Sequence, residues 1–171
     1  EQLSMVSVNL SAMSLADNKF MTWLEMRLMV EPELVSKLCF EITETAAVSQ
    51  LDQATGLIEL LRPFGCKIAL DDFGSGFSSF AYLKCLDVDY VKIDGQFVVN
   101  LCENRSDKAI VSAICQLGKD MGFEVIAEFV ENTDIGVYLK NIGVDYAQGY
   151  AINKPTRLAE LQHGLRTPWL T

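Results

Sequence analysis

The stretch Lys67-Ile68-Ala69-Leu70-Asp71-Asp72-Phe73-Gly74-Ser75-Gly76-Phe77-Ser78-Ser79 decides the fold. Lys67–Leu70 is a short, mostly apolar run without strict alternation, the pattern of a parallel strand covered on both faces. Two carboxylates follow at its end, and then a loop of small residues. Gly74-Ser75-Gly76 opens like a dinucleotide fingerprint, but Ser79 stands at the third glycine position, so that reading is rejected. A loop of small residues beside paired acids is instead a place where function collects.

The same unit recurs in both directions along the chain. Strand-like runs are expected at Met5–Val8, Leu38–Ile42, Lys67–Leu70, Tyr90–Ile93, Glu124–Ala127 and Tyr146–Gly149. Helical spacing separates them. Phe20, Met21, Leu24 and Leu28 form one apolar series, with Pro32 beyond it. Leu51, Ala54, Leu57, Ile58 and Leu61 form another, stopped by Pro63 and Gly65. Ile110, Ile114, Leu117 and Met121 lead to Gly122; Ile135, Leu139 and Ile142 lead to Gly143; Leu158, Leu161 and Leu165 mark a last short helix. The Met and Phe stripe between Phe20 and Met29 is expected to pack into the core. Strands alternating with helices give an α/β fold with a mainly parallel sheet.

The residues that end the strands choose between a doubly wound sheet and a barrel. The endings are Asn9; Glu41, followed by Glu44; Asp71 and Asp72; Lys92 and Asp94; Glu128, followed by Glu131; and Gln148. A doubly wound sheet gathers its chemistry at one switch crevice, whereas a (β/α) barrel brings every strand end to one mouth. Six polar endings predict the TIM-barrel-like (β/α) barrel. A full barrel needs about 250 residues, so the 171 residues here are expected to be the C-terminal two-thirds of one domain spanning 1–171, lacking the first strand and helix. The opening Glu1-Gln2-Leu3 supports excision from something longer.

Bulk composition narrows the function. Half of the chain is apolar and the net charge is −9. That charge argues against a nucleic-acid surface or an anionic membrane as partner. Five cysteines, none in a Cys-x-x-Cys pair, are expected to be buried free thiols of a cytoplasmic protein. The single histidine, His163, is expected on a solvent-facing tail. That argues against a His/Cys zinc site and against a Ser-His-Asp triad. Carboxylates crowded into one mouth repel one another unless cations neutralise them. Asn9, Glu41, Asp71, Asp72 and Glu128 offer only oxygen, which suits a pair of Mg²⁺ or Mn²⁺ ions. Two such ions clamp an in-line displacement at phosphorus, with Lys92 orienting or deprotonating the water, or stabilising developing charge. Each residue alone also has a structural reading: Asp71-Asp72 as a cap, Thr43 and Thr45 as N-caps beside Glu41 and Glu44, Lys92 as an ion-pair partner, Gln148 as a core amide. A metal-assisted proton-abstracting barrel enzyme also fits acids and a lysine on successive strands.

Val8-Asn9-Leu10-Ser11, Phe40-Glu41-Ile42-Thr43-Glu44, Asp71-Asp72-Phe73-Gly74-Ser75-Gly76-Phe77-Ser78-Ser79, Val91-Lys92-Ile93-Asp94, Ala127-Glu128-Phe129-Val130-Glu131 and Gln148-Gly149-Tyr150 together resemble the ordered motifs of EAL domains, from about Val6 to Pro155. The resemblance implies a phosphodiesterase that opens the bacterial second messenger cyclic di-GMP to linear pGpG. It implies that Asn9, Glu41, Asp71 and Glu128 are metal ligands, that Asp72 is a ligand or bridge at the second metal, and that Lys92 holds the catalytic water. It implies that Glu131 and Gln148 support the site. Glu44 would anchor the loop Phe73–Ser79, whose Gly74, Ser75, Gly76 and Phe77 shape the site and couple it to dimerisation. A homodimer and upstream sensory or GGDEF-type domains are implied as well. Two departures stand out. The family's Glu-Ala/Val-Leu motif and the arginine just after it have no counterpart here, and Phe129 stands where the family usually has glycine. The second departure also admits a degenerate domain that only senses cyclic di-GMP.

Overall fold

A computed structural model describes residues 5–76 and 80–157. The expected helix at Leu158–Leu165, the tail residue His163, and loop residue Phe77 with its neighbours Ser78 and Ser79 lie outside the described residues. The chain divides into two compact units, Gln2–Val91 and, with Glu1, Lys92–Thr171. The division falls inside a strand, so that strand is described with each unit in turn.

In the first unit, strand β1 (Val6–Leu10) is followed by the helices α1 (Ala12–Ala16), α2 (Asn18–Leu28) and α3 (Pro32–Val35). Strand β2 (Leu38–Thr43) leads into α4 (Glu44–Ser49) and α5 (Leu51–Leu61), and β3 (Lys67–Phe73) precedes β4 (Tyr90–Ile93). The strands lie in chain order and β1, β2 and β3 pair in parallel. β2 is buried along its central four residues, as a strand covered on both faces must be. Side chains fix the helix starts: Ser11 caps α1, Asp17 caps α2 through the amides of Lys19 and Phe20, and Thr43 caps α4 through the amide of Ala46. Pro32 sits in the first turn of α3, where its missing N–H costs nothing. Ala54, Leu57, Ile58 and Leu61 of α5 are all buried, as their spacing predicts. Below β3, Asp89 accepts from Arg62, Lys67 and the Ile68 amide at 2.8–2.9 Å.

In the second unit β4 is followed by α6 (Arg105–Met121), β5 (Glu124–Ala127), α7 (Thr133–Ile142) and β6 (Tyr146–Ala147), with β5 and β6 parallel. Asn104 caps α6 and Asn132 caps α7; Gly122 and Gly143 end them in left-handed conformations. Every strand in the described residues that is followed by a helix thus obeys the β–α alternation expected from the sequence.

Three expectations about burial need correction. Cys39, Cys66 and Cys115 are buried free thiols, but Cys85 and Cys102 are exposed. Cys85 closes a 3₁₀ segment and Cys102 lies in a turn, so neither sits on a buried strand or helix face. The stripe at Phe20–Met29 buries only Leu24 and Leu28, while Trp23, Met26 and Met29 are exposed. An 11-residue helix that is apolar on several sides has only one face to bury. On α6 the buried stripe is Val111, Ile114, Cys115 and Gly118, and Ile110 and Met121 flank it in solvent.

Candidate active site

The first unit presents a row of oxygen donors. Asn9 of β1 is in register with Glu41 of β2. Glu41 is in register with Ala69 of β3, and Asp71 lies two residues further along that strand. Side chains alternate with a period of two, so Asn9, Glu41 and Asp71 share one face of the parallel sheet towards the C-terminal ends of their strands. Glu41 is buried, Asp71 half-buried and Asn9 exposed. Asp71 Oδ1 accepts the amide of Asp72 at 3.0 Å. Asp72 itself has a φ of 54°, a left-handed conformation that Asp adopts more readily than most residues. Asp72 is exposed.

Glu44 holds the loop that follows β3. It is the first residue of α4, 1% exposed. Its Oε2 accepts the Gly74 amide at 2.8 Å and its Oε1 accepts the Tyr82 hydroxyl at 2.6 Å. Burial and the Glu44 carboxylate together push the Tyr82 hydroxyl well above its ordinary pKa. Ser75 donates its hydroxyl to the Asp72 carbonyl at 2.8 Å, and Gly76 is exposed beside it. Tyr82 was not anticipated: it lies 38 residues from Glu44, and no local spacing announces it.

The second unit presents a buried ion pair beside an open cleft. Lys92 Nζ lies 2.8 Å from Glu128 Oε1. The lysine is 4% exposed and the glutamate 9%. Glu128, Phe129, Glu131, Gln148, Gly149 and Tyr150 line the cleft. Its floor is knitted by backbone bonds: Gln148 donates to the Ala127 carbonyl at 2.8 Å, Val130 to Gln148 at 3.0 Å and Ala151 to Val130 at 2.9 Å. Gly149 is required there, because a Cβ at that position would overlap the backbone of Val130. Glu131 and Gln148 are both exposed, and Asp94 accepts the Gln96 amide at 2.8 Å as the cap of a 3₁₀ turn.

A family description, EAL domain, matches residues 1–155. The chain belongs to the EAL domain family. It is 46% identical over 154 residues to the cyclic di-GMP phosphodiesterase PdeB of Shewanella oneidensis, an alignment covering 90% of this chain and 18% of that protein. Its structure resembles that of the PaMucR phosphodiesterase in complex with c-di-GMP, with a TM-score of 0.83 at 34% identity, covering 92% of this chain and 64% of that one. It also resembles Klebsiella pneumoniae BlrP1 in a manganese and cyclic di-GMP complex, with a TM-score of 0.79 at 29% identity, covering 88% of this chain and 39% of that one. The fold is therefore the TIM-barrel-like α/β architecture of EAL domains. The chain spans about a fifth of the length of the curated relatives it matches.

Proposed function

We propose that this chain, read as a single EAL-type domain, carries a metal-dependent site that hydrolyses cyclic di-GMP to linear pGpG. The observation that carries the proposal is the row of oxygen donors Asn9, Glu41 and Asp71 on one face of neighbouring strands. With Asp72 and Glu128 they would supply the donors to two divalent cations, Mg²⁺ or Mn²⁺. The all-oxygen chemistry of this set fits hard cations. When bound, the cations neutralise the carboxylates and lower the pKa of a coordinated water.

The chain's own groups do the rest. A water oxygen forms a bond to one phosphorus atom, the P–O3′ bond breaks, and the 3′ oxygen takes up a proton, leaving a 5′-phosphate on the linear dinucleotide. Lys92 has the position and charge to orient the attacking water and to stabilise charge developing on the phosphoryl oxygens. Its pairing with Glu128 fixes it in place. Glu131 and Gln148 border the cleft and support water and substrate there. Glu44 fixes the start of the loop through the Gly74 amide, and Gly74, Ser75 and Gly76 shape the rim.

Among the described residues no helix is long and apolar enough to cross a membrane. We place the domain in the cytoplasm, as part of a homodimer with sensory or GGDEF-type domains upstream. The test is incubation of the intact protein with cyclic di-GMP and Mg²⁺ or Mn²⁺, followed by chromatography of the nucleotides. Accumulation of pGpG is expected; none at any metal concentration refutes the enzyme. A second reading, a cyclic di-GMP receptor without turnover, is favoured by Phe129 beside Glu128. Tight calorimetric binding with no product would select it.

A further inference from the structure

Tyr82 is a buried polar side chain that the hydrolytic scheme leaves without a task. It lies in the 3₁₀ segment Phe80–Cys85 and is 8% exposed. Its hydroxyl donates to Glu44 Oε1 at 2.6 Å, while the Gly74 amide donates to Glu44 Oε2 at 2.8 Å. One buried carboxylate thus carries a different donor on each oxygen. The terminal torsion of a glutamate is a soft one, and two donors on opposite oxygens fix it where one would not. Without the hydroxyl, Gly74 keeps its hydrogen bond but is oriented from one side only.

From Gly74 the restraint passes back to the acids at the end of β3. Ser75 donates its hydroxyl to the Asp72 carbonyl at 2.8 Å and its amide to the same oxygen at 3.2 Å. On the other side the Asp72 amide donates to Asp71 Oδ1 at 3.0 Å. Between these bonds Asp72 has a φ of 54°, a conformation that a residue other than glycine keeps only where its surroundings over-determine it. Gly74 follows with a φ of 91°, and its amide ties this turn to a buried side chain.

We propose that Tyr82 is a positioning residue for the Asp72 donor: by fixing the Glu44 carboxylate it holds the turn from Asp72 to Ser75 in the conformation in which Asp72 binds a divalent cation. The inference rests on the reading of Asp72 as a ligand of such a cation. Groups that orient a metal's ligands through hydrogen bonds are worth about 10- to 100-fold in affinity or activity. Tyr82 acts through Glu44 and Gly74, which places it at the lower end of that range.

The experiment compares the intact protein with Tyr82→Phe, which removes the hydroxyl but keeps the ring and its packing. Mn²⁺ binding is measured by calorimetry without substrate. Tyr82→Phe should weaken that binding about tenfold at unchanged stoichiometry. A merely structural loss would instead lower the number of sites, through a smaller folded fraction, at unchanged affinity. With cyclic di-GMP present, the Mn²⁺ concentration for half-maximal turnover should rise by the same factor, and kcat at saturating Mn²⁺ should approach that of the parent. In an Asp72→Asn background Tyr82→Phe should cause no further loss, because the two substitutions act on one donor. Parental Mn²⁺ affinity in Tyr82→Phe overturns the proposal, and so does a full additional loss in the Asp72→Asn background. The cation site itself is read from the parent: absence of Mn²⁺ binding there removes the site and the positioning role with it.

Discussion

Lys92 Nζ and Glu128 Oε1 stand 2.8 Å apart with both side chains almost wholly withdrawn from solvent. A buried pair of this kind is weak evidence of stabilisation, but removing one partner strands the other charge in a poor solvent. Lys92→Met should therefore lower the unfolding free energy of the metal-free protein by about 3–5 kcal/mol. The double variant Lys92→Met/Glu128→Leu should recover most of that loss while remaining inactive. Denaturant titrations of the four proteins in the cycle check this. Full stability in Lys92→Met would mean that the pair is not desolvated.

Glu44 is the second buried acid with a defined task. Two charge-assisted hydrogen bonds, to the Gly74 amide and the Tyr82 hydroxyl, are each worth about 1.5–3 kcal/mol. Glu44→Ala should cost about 3 kcal/mol or more by this count and should release the Gly74 amide to fast hydrogen exchange. Tyr82→Phe should cost less and leave Gly74 protected. Protection at Gly74 that survives Glu44→Ala would remove the anchoring role.

The cysteines separate into two classes. Burial raises the Cys66 thiol from an ordinary 9.0 to about 11, and burial likewise raises Cys115 to about 11. At pH 8 to 9, alkylation followed by peptide mass spectrometry should label the exposed Cys85 and Cys102 first, with Cys66 and Cys115 protected until unfolding. The linkage has a definite sign. These two thiols lose their protons more easily in the unfolded chain, so their contribution to stability is complete below pH 9 and is lost as pH rises from 9 towards 11. Thermal unfolding midpoints should fall across that window, and less steeply in a Cys66→Ala/Cys115→Ala variant.

Metal removal tests the donor row. Mn²⁺ should raise the unfolding midpoint of the intact protein, because a ligand that binds only the folded state stabilises it by mass action. Glu41→Gln should abolish that increase, with the fold of the metal-free variant checked by circular dichroism. Undiminished stabilisation in Glu41→Gln would place the cation elsewhere.

Much of this architecture was legible in the sequence because parallel strands and their helices follow simple local rules. β4 and β5 begin and end at the expected residues, and β2 and β3 extend the expected runs to include Thr43 and Asp71–Phe73. The polar strand endings could be read because each interrupts an apolar run. What was not legible depends on tertiary geometry. Trp23 and Met26 lie on a helix apolar on several sides, and spacing alone does not choose the buried one. The Tyr82–Glu44 bond joins residues distant in the chain. The seat of Phe129 on Gly95 depends on a positive φ that a phenylalanine gives no reason to expect.

The central claim is that Asn9, Glu41, Asp71, Asp72 and Glu128 are the ligands of a cation pair. Anomalous diffraction from crystals of the intact protein soaked in Mn²⁺ tests this most directly. Two peaks, with these five side chains as their protein ligands, are the predicted result. Peaks bound by other residues, or none at saturating Mn²⁺, would contradict it.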